Sequence, residues 1–383
     1  MQKICETIPY GKQWVKSGDT ELVLKALESD YLTTGPLVSQ FERKLSESVH
    51  SKFAIAVNSG TAALHTAYAS IGLKAGDEII TSPLTFAATA NAARYLGASV
   101  RLADIEEETG NIDPDSVVGS LSPKTRIIVS VDYAGHPAEY DSLMSIARKN
   151  HLTYVSDASH SLGAEYNGKP IGSLAHLTTF SFHPVKPITT GEGGAVVTDQ
   201  EDRATLARKF RSHGINKQAT STEPENDGPW YYEMQDLGFN YRLPDTSAAL
   251  GIAQLDHLTA FIKKRQSIAE SYNDALKDLD SVILPIERRN VKSGWHLYPL
   301  RLRDSKYRKK LFTLLQEAGL AVQVHYVPIH YHPYYQQLGF KKGQFPRAEN
   351  FYSSVISLPI YPKMTDEILN YSIEAIRKSI QQL

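Results

Sequence analysis

The stretch that decides the fold reads "FAIAVNSGTAALHTAYASIG" and spans residues 53–72. Its first five residues form an apolar run of strand length, and the residues from 61 onward have the composition of a helix. The same order returns in "DEIITSPLTFAATANAARYLG", residues 77–97. Strands that alternate with helices are typical of a mostly parallel sheet with both faces covered. The sequence therefore predicts an α/β fold with ligands bound beyond the carboxyl ends of the strands.

The rest of the chain divides into two predicted units. Further strands of the first unit are "SVRLAD", "RIIVSVDY", "LTYVSDA", "LTTFSF" and "GGAVVTD". The polar stretch 216–236 is interpreted as a loop over a site or a surface excursion, and a long helix is predicted at about 245–278. A smaller α/β unit follows, with strands "HLYPLRL" and "AVQVHYV" around the helix "KYRKKLFTLLQEAG". We expect an N-terminal arm and large domain over 1–255 and a small domain over 256–383.

Composition excludes several classes of function. The chain has 383 residues, of which 42% are hydrophobic, and its formal net charge is −1. The balanced charge argues against a nucleic-acid partner, and no apolar run has the length of a signal peptide or a membrane span. The single cysteine, Cys5, excludes an internal disulfide and a cysteine-based zinc site. We therefore expect a cytoplasmic protein with neither a membrane nor a nucleic-acid partner.

One lysine stands in an unusual setting, in "SFHPVKPITTGEGG", residues 181–194. Pro184 and Pro187 prevent a regular helix around Lys186. The glycines that follow allow the backbone to approach another group closely. A surface lysine needs neither feature, whereas a lysine that must reach one fixed carbon atom needs both.

Two further motifs lie where a parallel sheet presents its ligand-binding residues. Asp157 follows the predicted strand 152–156, although an aspartate in this place is also a common helix N-cap. Gly60 and Thr61 open a helix directly after a strand, where backbone amides form an anion site to which Ser59 adds a hydroxyl. Ordinary capping explains that motif equally well when it is considered alone.

These groups together fit pyridoxal 5′-phosphate. The cofactor needs a lysine for its aldehyde carbon, a carboxylate for its ring nitrogen, an anion cradle and a flat side chain against its ring. Lys186 and Asp157 would supply the first two. The helix start and Ser181 would hold the phosphate. Phe86 would stack on the ring, although a core position explains that phenylalanine as well.

The order of six motifs resembles the DegT/DnrJ/EryC1/StrS family of pyridoxal-phosphate sugar aminotransferases. The motifs are "NSGTAAL", "SPLTFAATANA", "SDASHSLGA", "SFHPVKPITTGEGGAVVT", "RSHGI" and "GFNYRLPDTSAALG". The resemblance implies fold type I, the aspartate aminotransferase fold. It has a large domain with a mostly parallel seven-stranded sheet and a smaller C-terminal α/β domain.

The resemblance also implies roles for single residues. Lys186 matches the lysine that bonds to the cofactor and moves the proton, and Asp157 matches the partner of the ring nitrogen. Asn240 matches an asparagine that reaches the phosphate from a neighbouring subunit, which implies a homodimer with shared sites. His160 stands where many members have glutamine near the 3′-oxygen. The remaining matches to cofactor contacts are Gly60, Thr61, Phe86 and Ser181.

Within the family, the likeness is greatest to enzymes that aminate C4 of a UDP-linked 4-keto sugar in pseudaminic acid biosynthesis. It rests on "VSVDYAG", "FHPVKPITT", "FRSHGI" and "AVQVHYVPIHYHPYYQQLG". The implied substrates are L-glutamate and UDP-2-acetamido-2,6-dideoxy-β-L-arabino-hexos-4-ulose. The implied sugar-nucleotide contacts are Tyr10, Tyr31, Leu32, Thr33, Ser59, Ser181, Asn240, Gln323, Val324, His325 and Tyr326.

Three other functions compete with this interpretation. A sugar 3-dehydratase of the same family would carry histidine in place of Lys186. An aminotransferase for another nucleotide-linked keto sugar would share every cofactor motif. A non-catalytic regulator with this fold would be expected to lack Lys186 or Asp157.

A metal site at the histidine-rich segment is not expected. His325, His330 and His332 lie close together in the sequence, but Pro328 and Pro333 interrupt regular geometry, and no carboxylate or cysteine stands among them. We therefore expect no metal.

Overall fold

A computed structural model describes residues 7–216, 228 and 230–383 of the protein. Cys5 and most of the predicted loop at 216–236 lie outside the described residues. At the borders of that loop, the short strands Ile215–Asn216 and Glu233–Met234 pair with each other in antiparallel orientation.

The described residues form 17 strands and 12 α-helices. The strands are β1 Ile8–Pro9, β2 Phe53–Val57, β3 Glu78–Thr81, β4 Ser99–Leu102, β5 Thr125–Val131, β6 Thr153–Asp157, β7 Glu165–Tyr166, β8 Lys169–Pro170, β9 Leu177–Ser181, β10 Gly194–Thr198, β11 Ile215–Asn216, β12 Glu233–Met234, β13 Val282–Ile283, β14 Val291–Lys292, β15 Tyr298–Leu302, β16 Leu320–Ala321 and β17 Val355–Leu358. The helices are α1 Ser17–Leu27, α2 Pro36–Ser48, α3 Gly60–Ile71, α4 Ala88–Tyr95, α5 Pro114–Ser120, α6 Tyr140–Lys149, α7 Glu201–Arg211, α8 Asp245–Leu276, α9 Arg308–Glu317, α10 Pro333–Gln337, α11 Pro346–Ser354 and α12 Asp366–Ile380. Short 3-10 turns occur at Tyr133–Gly135, Ser305–Tyr307 and Ile329–Tyr331.

The central sheet has seven strands in the order β2-β10-β9-β6-β5-β3-β4. Strand β10 runs antiparallel to both of its neighbours, and the remaining neighbours pair in parallel. The carboxyl ends of β2, β6 and β9 therefore lie at one edge of the sheet. The predicted seven-stranded, mostly parallel sheet is confirmed.

The sheet is covered on both faces, which explains why its strands are apolar along almost their whole length. Helix α3 packs on one face with α4 and α7, around buried residues such as Ile55, Ala67 and Val196. A second buried cluster on the other face includes Phe41, Phe180 and Phe182, contributed by α2 and β9 and the turn after it. Full burial on both faces gives the continuous apolar pattern that the sequence showed.

Helix α8 connects the two hydrophobic cores. Leu258 and Ile262 belong to the cluster under the large sheet. Ile268 and Tyr272, about two to four turns later, belong to the cluster of the C-terminal unit, whose sheet has the strand order β13-β15-β17. Division of the chain at 255/256, inside this helix, stays our proposal.

The strand predicted for "AVQVHYV" is largely wrong. Only Leu320–Ala321 forms a strand, and it pairs with Ile8–Pro9 of the N-terminal arm. Gln323 makes one isolated bridge to Ser357. The ladder stops there because the carbonyl of His325 accepts a hydrogen bond from the Tyr133 hydroxyl at 2.5 Å instead of from a neighbouring strand.

None of the helices in the described ranges combines the length and the apolar composition needed to cross a bilayer. The predicted cytoplasmic location stays a prediction.

One buried carboxylate fixes the turn that precedes α2. Asp245, at the start of α8, accepts hydrogen bonds from the backbone amides of Gly35 at 2.8 Å and Leu37 at 3.0 Å. Its own amide donates to the carbonyl of Leu32 at 3.0 Å. The turn that carries three predicted sugar-nucleotide contacts is therefore tied to the long helix through Asp245.

We expect Asp245→Ala to lower the free energy of unfolding by about 2–3 kcal/mol, because two amides lose their charged acceptor away from water. The measurement is urea denaturation. Asp256→Ala is the matched control on the same helix, since Asp256 is exposed and its one ion pair among the described residues is with Lys44. Its expected loss is below about 1 kcal/mol. Equal losses for the two variants would contradict the anchoring role.

Candidate active site

A cavity of about 500 Å³ lies at the carboxyl edge of the central sheet. It is lined by the start of α3, the ends of β6 and β9, the loop around Lys186 and the irregular segment around His325. The predicted site residues that line it are Tyr10, Ser59, Gly60, Thr61, Phe86, Asp157, His160, Ser181, Lys186, His325 and Tyr326. Groups that are far apart in sequence are thus brought to one place.

The remaining predicted residues lie outside the cavity wall. Tyr31 and Leu32 are exposed, and Thr33 forms an isolated bridge to Pro244. Asn240 is exposed, and its carbonyl lies 3.5 Å from the side-chain amide of Asn58. The last two, Gln323 and Val324, precede the cavity-lining pair in the chain; Gln323 pairs with Ser357, and Val324 packs on a buried cluster. Their predicted ligand contacts stay predictions.

Helix α3 begins against the end of β9. The Ser59 hydroxyl accepts a hydrogen bond from the Ala62 amide at 3.0 Å, so the capping interpretation of this serine is correct. A Cβ atom on Gly60 would lie 2.8 Å from the Cβ atom of Ser181. Only glycine allows this approach, which places the helix amides and the Ser181 hydroxyl around one point.

Asp157 is held by hydroxyl and amide donors. Its Oδ2 accepts from Thr89 Oγ1 at 2.7 Å, and its Oδ1 accepts from the Ser159 hydroxyl at 2.6 Å and the Ser159 amide at 3.2 Å. The side chain is 5% exposed. The next element after β6 is a strand, so the helix N-cap interpretation is wrong. A carboxylate oriented in this way can face a cationic group in the cavity.

Lys186 projects from a loop that the two prolines keep out of a helix. Burial, with a smaller contribution from Arg265, lowers the pKa of Lys186 to about 8 against the opposing effect of Asp157. The amine is therefore neutral in about half of the molecules near pH 8. A neutral amine can attack a carbonyl carbon and accept a proton.

Three histidines surround this amine and remain uncharged. Burial and the nearby Lys186 hold the pKa of His160 and that of His296 well below the ordinary value, and they lower that of His325 to about 4. The rings of His160 and His296 lie 4.4 Å apart. His160 Nε2 lies 3.0 Å from the Tyr326 hydroxyl, whereas Nδ1 of His160 and Nδ1 of His296 are buried without a partner in the described structure.

Phe86 is not a core residue. Its side chain is 60% exposed, and its ring centroid lies 6.0 Å from that of Tyr326. An aromatic ring left open at the mouth of a polar cavity can cover a flat ligand.

Several polar groups of the cavity wall escaped the sequence analysis. They are Thr85, Thr89, Ser159, His183, Glu192 and His296. Five of these lie in motifs that were singled out because of a neighbouring residue. Membership of those motifs was the signal by which they could have been predicted. His296 gave no such signal, because it looked like the first residue of the strand "HLYPLRL".

Two of the three histidines near the C-terminus, His325 and His330, have separate side-chain partners. His325 lines the cavity, and its Nδ1 lies 2.8 Å from the Ser357 hydroxyl. His330 is buried with Nε2 3.0 Å from Glu349 Oε1. Within the described ranges, no group of three potential metal ligands occurs. The expected lack of a metal stays a prediction.

Comparison with known proteins identifies the family. A sequence model of the DegT/DnrJ/EryC1/StrS aminotransferase family matches residues 15–377. The chain belongs to this family.

Individual relatives are similar to this chain over nearly its whole length. A UDP-4-amino-4,6-dideoxy-N-acetyl-beta-L-altrosamine transaminase of Campylobacter jejuni is 40% identical over 362 residues, which cover 93% of each chain. The spore coat polysaccharide biosynthesis protein SpsC of Bacillus subtilis is 38% identical over 386 residues, covering 100% of this chain and 99% of SpsC. The solved structure of Helicobacter pylori PseC, an aminotransferase of pseudoaminic acid biosynthesis, has a TM-score of 0.93 and 35% identity, covering 99% of this chain and 100% of PseC.

The protein is therefore a pyridoxal-phosphate-dependent aminotransferase of fold type I. The predictions of fold, enzyme class and cofactor are confirmed. The geometry fits the cofactor, since one cavity contains a reactive lysine, an oriented carboxylate and buried imidazole nitrogens without partners. The glycine-dependent approach of α3 to Ser181 supplies donors suited to a phosphate.

We expect Gly60→Ala to weaken pyridoxal-phosphate binding by about tenfold or more, because the new methyl group separates α3 from Ser181. The measurement is a spectroscopic titration of cofactor-free protein. Gly18→Ala is the matched control, since a Cβ atom there meets nothing within 4 Å. Unchanged affinity in Gly60→Ala would show that this helix start is not the phosphate cradle.

Proposed function

We propose that the protein transfers an amino group from L-glutamate to C4 of UDP-2-acetamido-2,6-dideoxy-β-L-arabino-hexos-4-ulose. This reaction belongs to pseudaminic acid biosynthesis and gives a UDP-4-amino-4,6-dideoxy sugar. The observation that carries the proposal is the full-length likeness to PseC and to the Campylobacter transaminase. The position of His325 and Tyr326 in the wall of the lysine-containing cavity supports it.

Each residue around the cofactor would have a separate role. Bound pyridoxal phosphate supplies a ring that withdraws electrons and a carbon that carries the amino group between the two substrates. Asp157 would hold the ring nitrogen in its protonated form, with its orientation fixed by Thr89 and Ser159. The amides at the start of α3 and the Ser181 hydroxyl would hold the phosphate. Phe86 would cover the ring, and His160 would lie beside its 3′-oxygen.

Lys186 would move the proton in both halves of the reaction. In the first half, its neutral amine would accept the α-proton of glutamate, and water would supply the keto oxygen of the 2-oxoglutarate that leaves. In the second half, Lys186 would deliver a proton to C4 of the sugar, whose keto oxygen would leave as water. The depressed pKa suits this role, because a general base works best when its pKa is near the working pH. The rate should therefore fall as the pH drops below about 8.

A second candidate is amination of a different nucleotide-linked keto sugar. The likeness to SpsC, a protein of spore coat polysaccharide biosynthesis, extends over the entire chain at almost the same identity as that to the Campylobacter enzyme. Cofactor motifs are shared by both alternatives. An assay that compares the sugars as substrates is therefore needed to separate the two alternatives.

We expect kcat/KM for the L-arabino 4-keto sugar to exceed that for its D-xylo epimer by about tenfold or more, because a pocket built around one arrangement of hydroxyl groups leaves polar groups unpaired with the other. The measurement is production of 2-oxoglutarate from glutamate with each UDP-sugar. Lys186→Ala is the control and should lose several orders of magnitude in rate. Equal values for the two epimers would refute the substrate while leaving the family assignment intact.

The proposal includes a homodimer in which Asn240 reaches the partner's cofactor. Two observations support it. Asn240 is exposed and does not line the cavity of its own chain. Its backbone lies beside the end of β2, through the contact of its carbonyl with Asn58 and a bridge between Val57 and Arg242. The side chain is thus exposed and lies outside the cavity wall of its own chain.

Mixing two inactive variants tests this arrangement. We expect Lys186→Ala and Asn240→Ala to regain about a quarter of wild-type activity after subunit exchange, since half of the dimers are mixed and each mixed dimer has one intact site of two. Activity is measured after exchange has been verified with differently tagged chains. No recovery would show that Asn240 serves its own chain.

A further inference from the structure

The interior of the protein contains one arginine that has no acidic partner. Arg265, in the middle of α8, is 1% exposed. Its guanidinium donates to four backbone carbonyls: those of Ile360 at 2.9 Å, Trp295 and His296 at 3.2 Å, and Val185 at 3.3 Å. Within the described ranges it forms no ion pair, and its Nε has no hydrogen-bond partner.

A buried cation without a counter-ion is costly, and carbonyl dipoles offset only part of that cost. Among the described residues, the other buried arginine, Arg301, lies 3.9 Å from Glu107, and the half-buried Arg211 contacts Glu42. A neutral amide side chain has two N–H donors against the five of a guanidinium, so joining four carbonyls favours arginine. The connection therefore brings a fixed charge into the interior beside the cavity.

Two of the residues whose carbonyls Arg265 contacts lie close to the catalytic lysine. Val185 is the residue before Lys186, and His296 lines the cavity beside it. One guanidinium thus connects the lysine loop, the cavity wall and the segment after β17. We infer that Arg265 is a positioning residue that holds the Lys186 loop and adds a fixed positive charge beside the cavity that favours the neutral amine. The inference rests on the role proposed for Lys186.

The balance of charges around Lys186 agrees with this inference. Burial is the largest influence and lowers the pKa of Lys186; of the two charges, Asp157 raises this pKa and Arg265 lowers it. The other titratable groups that line the cavity are Tyr10, His160, His183, Glu192, His296, His325 and Tyr326. The buried histidines among them are uncharged because of burial and the nearby cations. Arg265 is therefore the fixed cation that opposes Asp157.

The test measures the ionisation of Lys186 directly, in the full-length protein freed of cofactor. A short pulse of acetic anhydride at pH 6–10 acetylates neutral amines, and mass spectrometry gives the extent of acetylation at Lys186 relative to exposed Lys277. We expect Arg265→Gln, which keeps two donors but removes the charge, to raise the pKa of Lys186 by about one pH unit. The acetylation rate at pH 8 should then fall about fivefold.

Two variants separate charge from structure. Arg265→Met removes the charge together with every donor, and its Lys186 should be acetylated as slowly as in Arg265→Gln. Arg301→Gln removes another buried arginine away from the cavity and should leave Lys186 unchanged. Circular dichroism and gel filtration establish that each variant is folded.

The inference is overturned if folded Arg265→Gln shows the wild-type acetylation profile. It is also overturned if folded Arg265→Met keeps the wild-type acetylation rate, because the fixed charge would then have no effect on the amine; this second arm decides the question if Arg265→Gln does not fold. The experiment uses neither sugar nor glutamate. Failure of the proposed substrate would therefore appear only in the turnover assay and not in the acetylation profile.

Discussion

The pairing of β10 with both β2 and β9 is the constraint on which the site depends. Gly194 lies opposite Val57 on one side and opposite Ser181 on the other. A Cβ atom on Gly194 would lie 2.4 Å from the carbonyl oxygen of Ser59, so only glycine allows β10 to pack this closely against the segment between β2 and α3. Strand β10 thereby brings the start of α3 to the end of β9, although more than 100 residues separate them in the chain.

The electrostatics of the cavity follow from the burial that this packing creates. Burial disfavours charge on every group, which leaves the imidazoles of His160 and His296 neutral. Asp157 is kept in place by hydroxyl and amide donors. Burial lowers the pKa of Lys186 most, while the carboxylate of Asp157 raises it and the guanidinium of Arg265 lowers it, so its protonation also depends on two opposite charges supplied by separate parts of the fold. A change in either charge would therefore shift the proportion of neutral amine.

Site residues that are marked by their neighbours in the sequence could be predicted from the sequence. Lys186 stood out because prolines and glycines marked its loop, and Asp157 because it followed an apolar run. Arg265 could not be recognised, since "KKR" within a long helix is typical of a solvated face. It is buried beside Trp295 and Ile360, two residues distant in sequence whose carbonyls accept hydrogen bonds from its guanidinium. The irregular course of His325 was hidden for the same reason: the Tyr133 hydroxyl that binds its carbonyl lies 192 residues away in sequence.

Exposure near the site argues that one chain is only half of the working unit that we propose. Phe86 is open at the cavity mouth, and Asn240 faces outward beside β2. In the stretch of sequence that precedes Asn240, Leu237 is 79% exposed and Trp230 is 76% exposed. Large apolar side chains that gather in one segment are typical of a surface covered by a partner. A second copy that covers this segment would place its own Asn240 at the open side of the cavity, and the same contact would then exclude water from both sites.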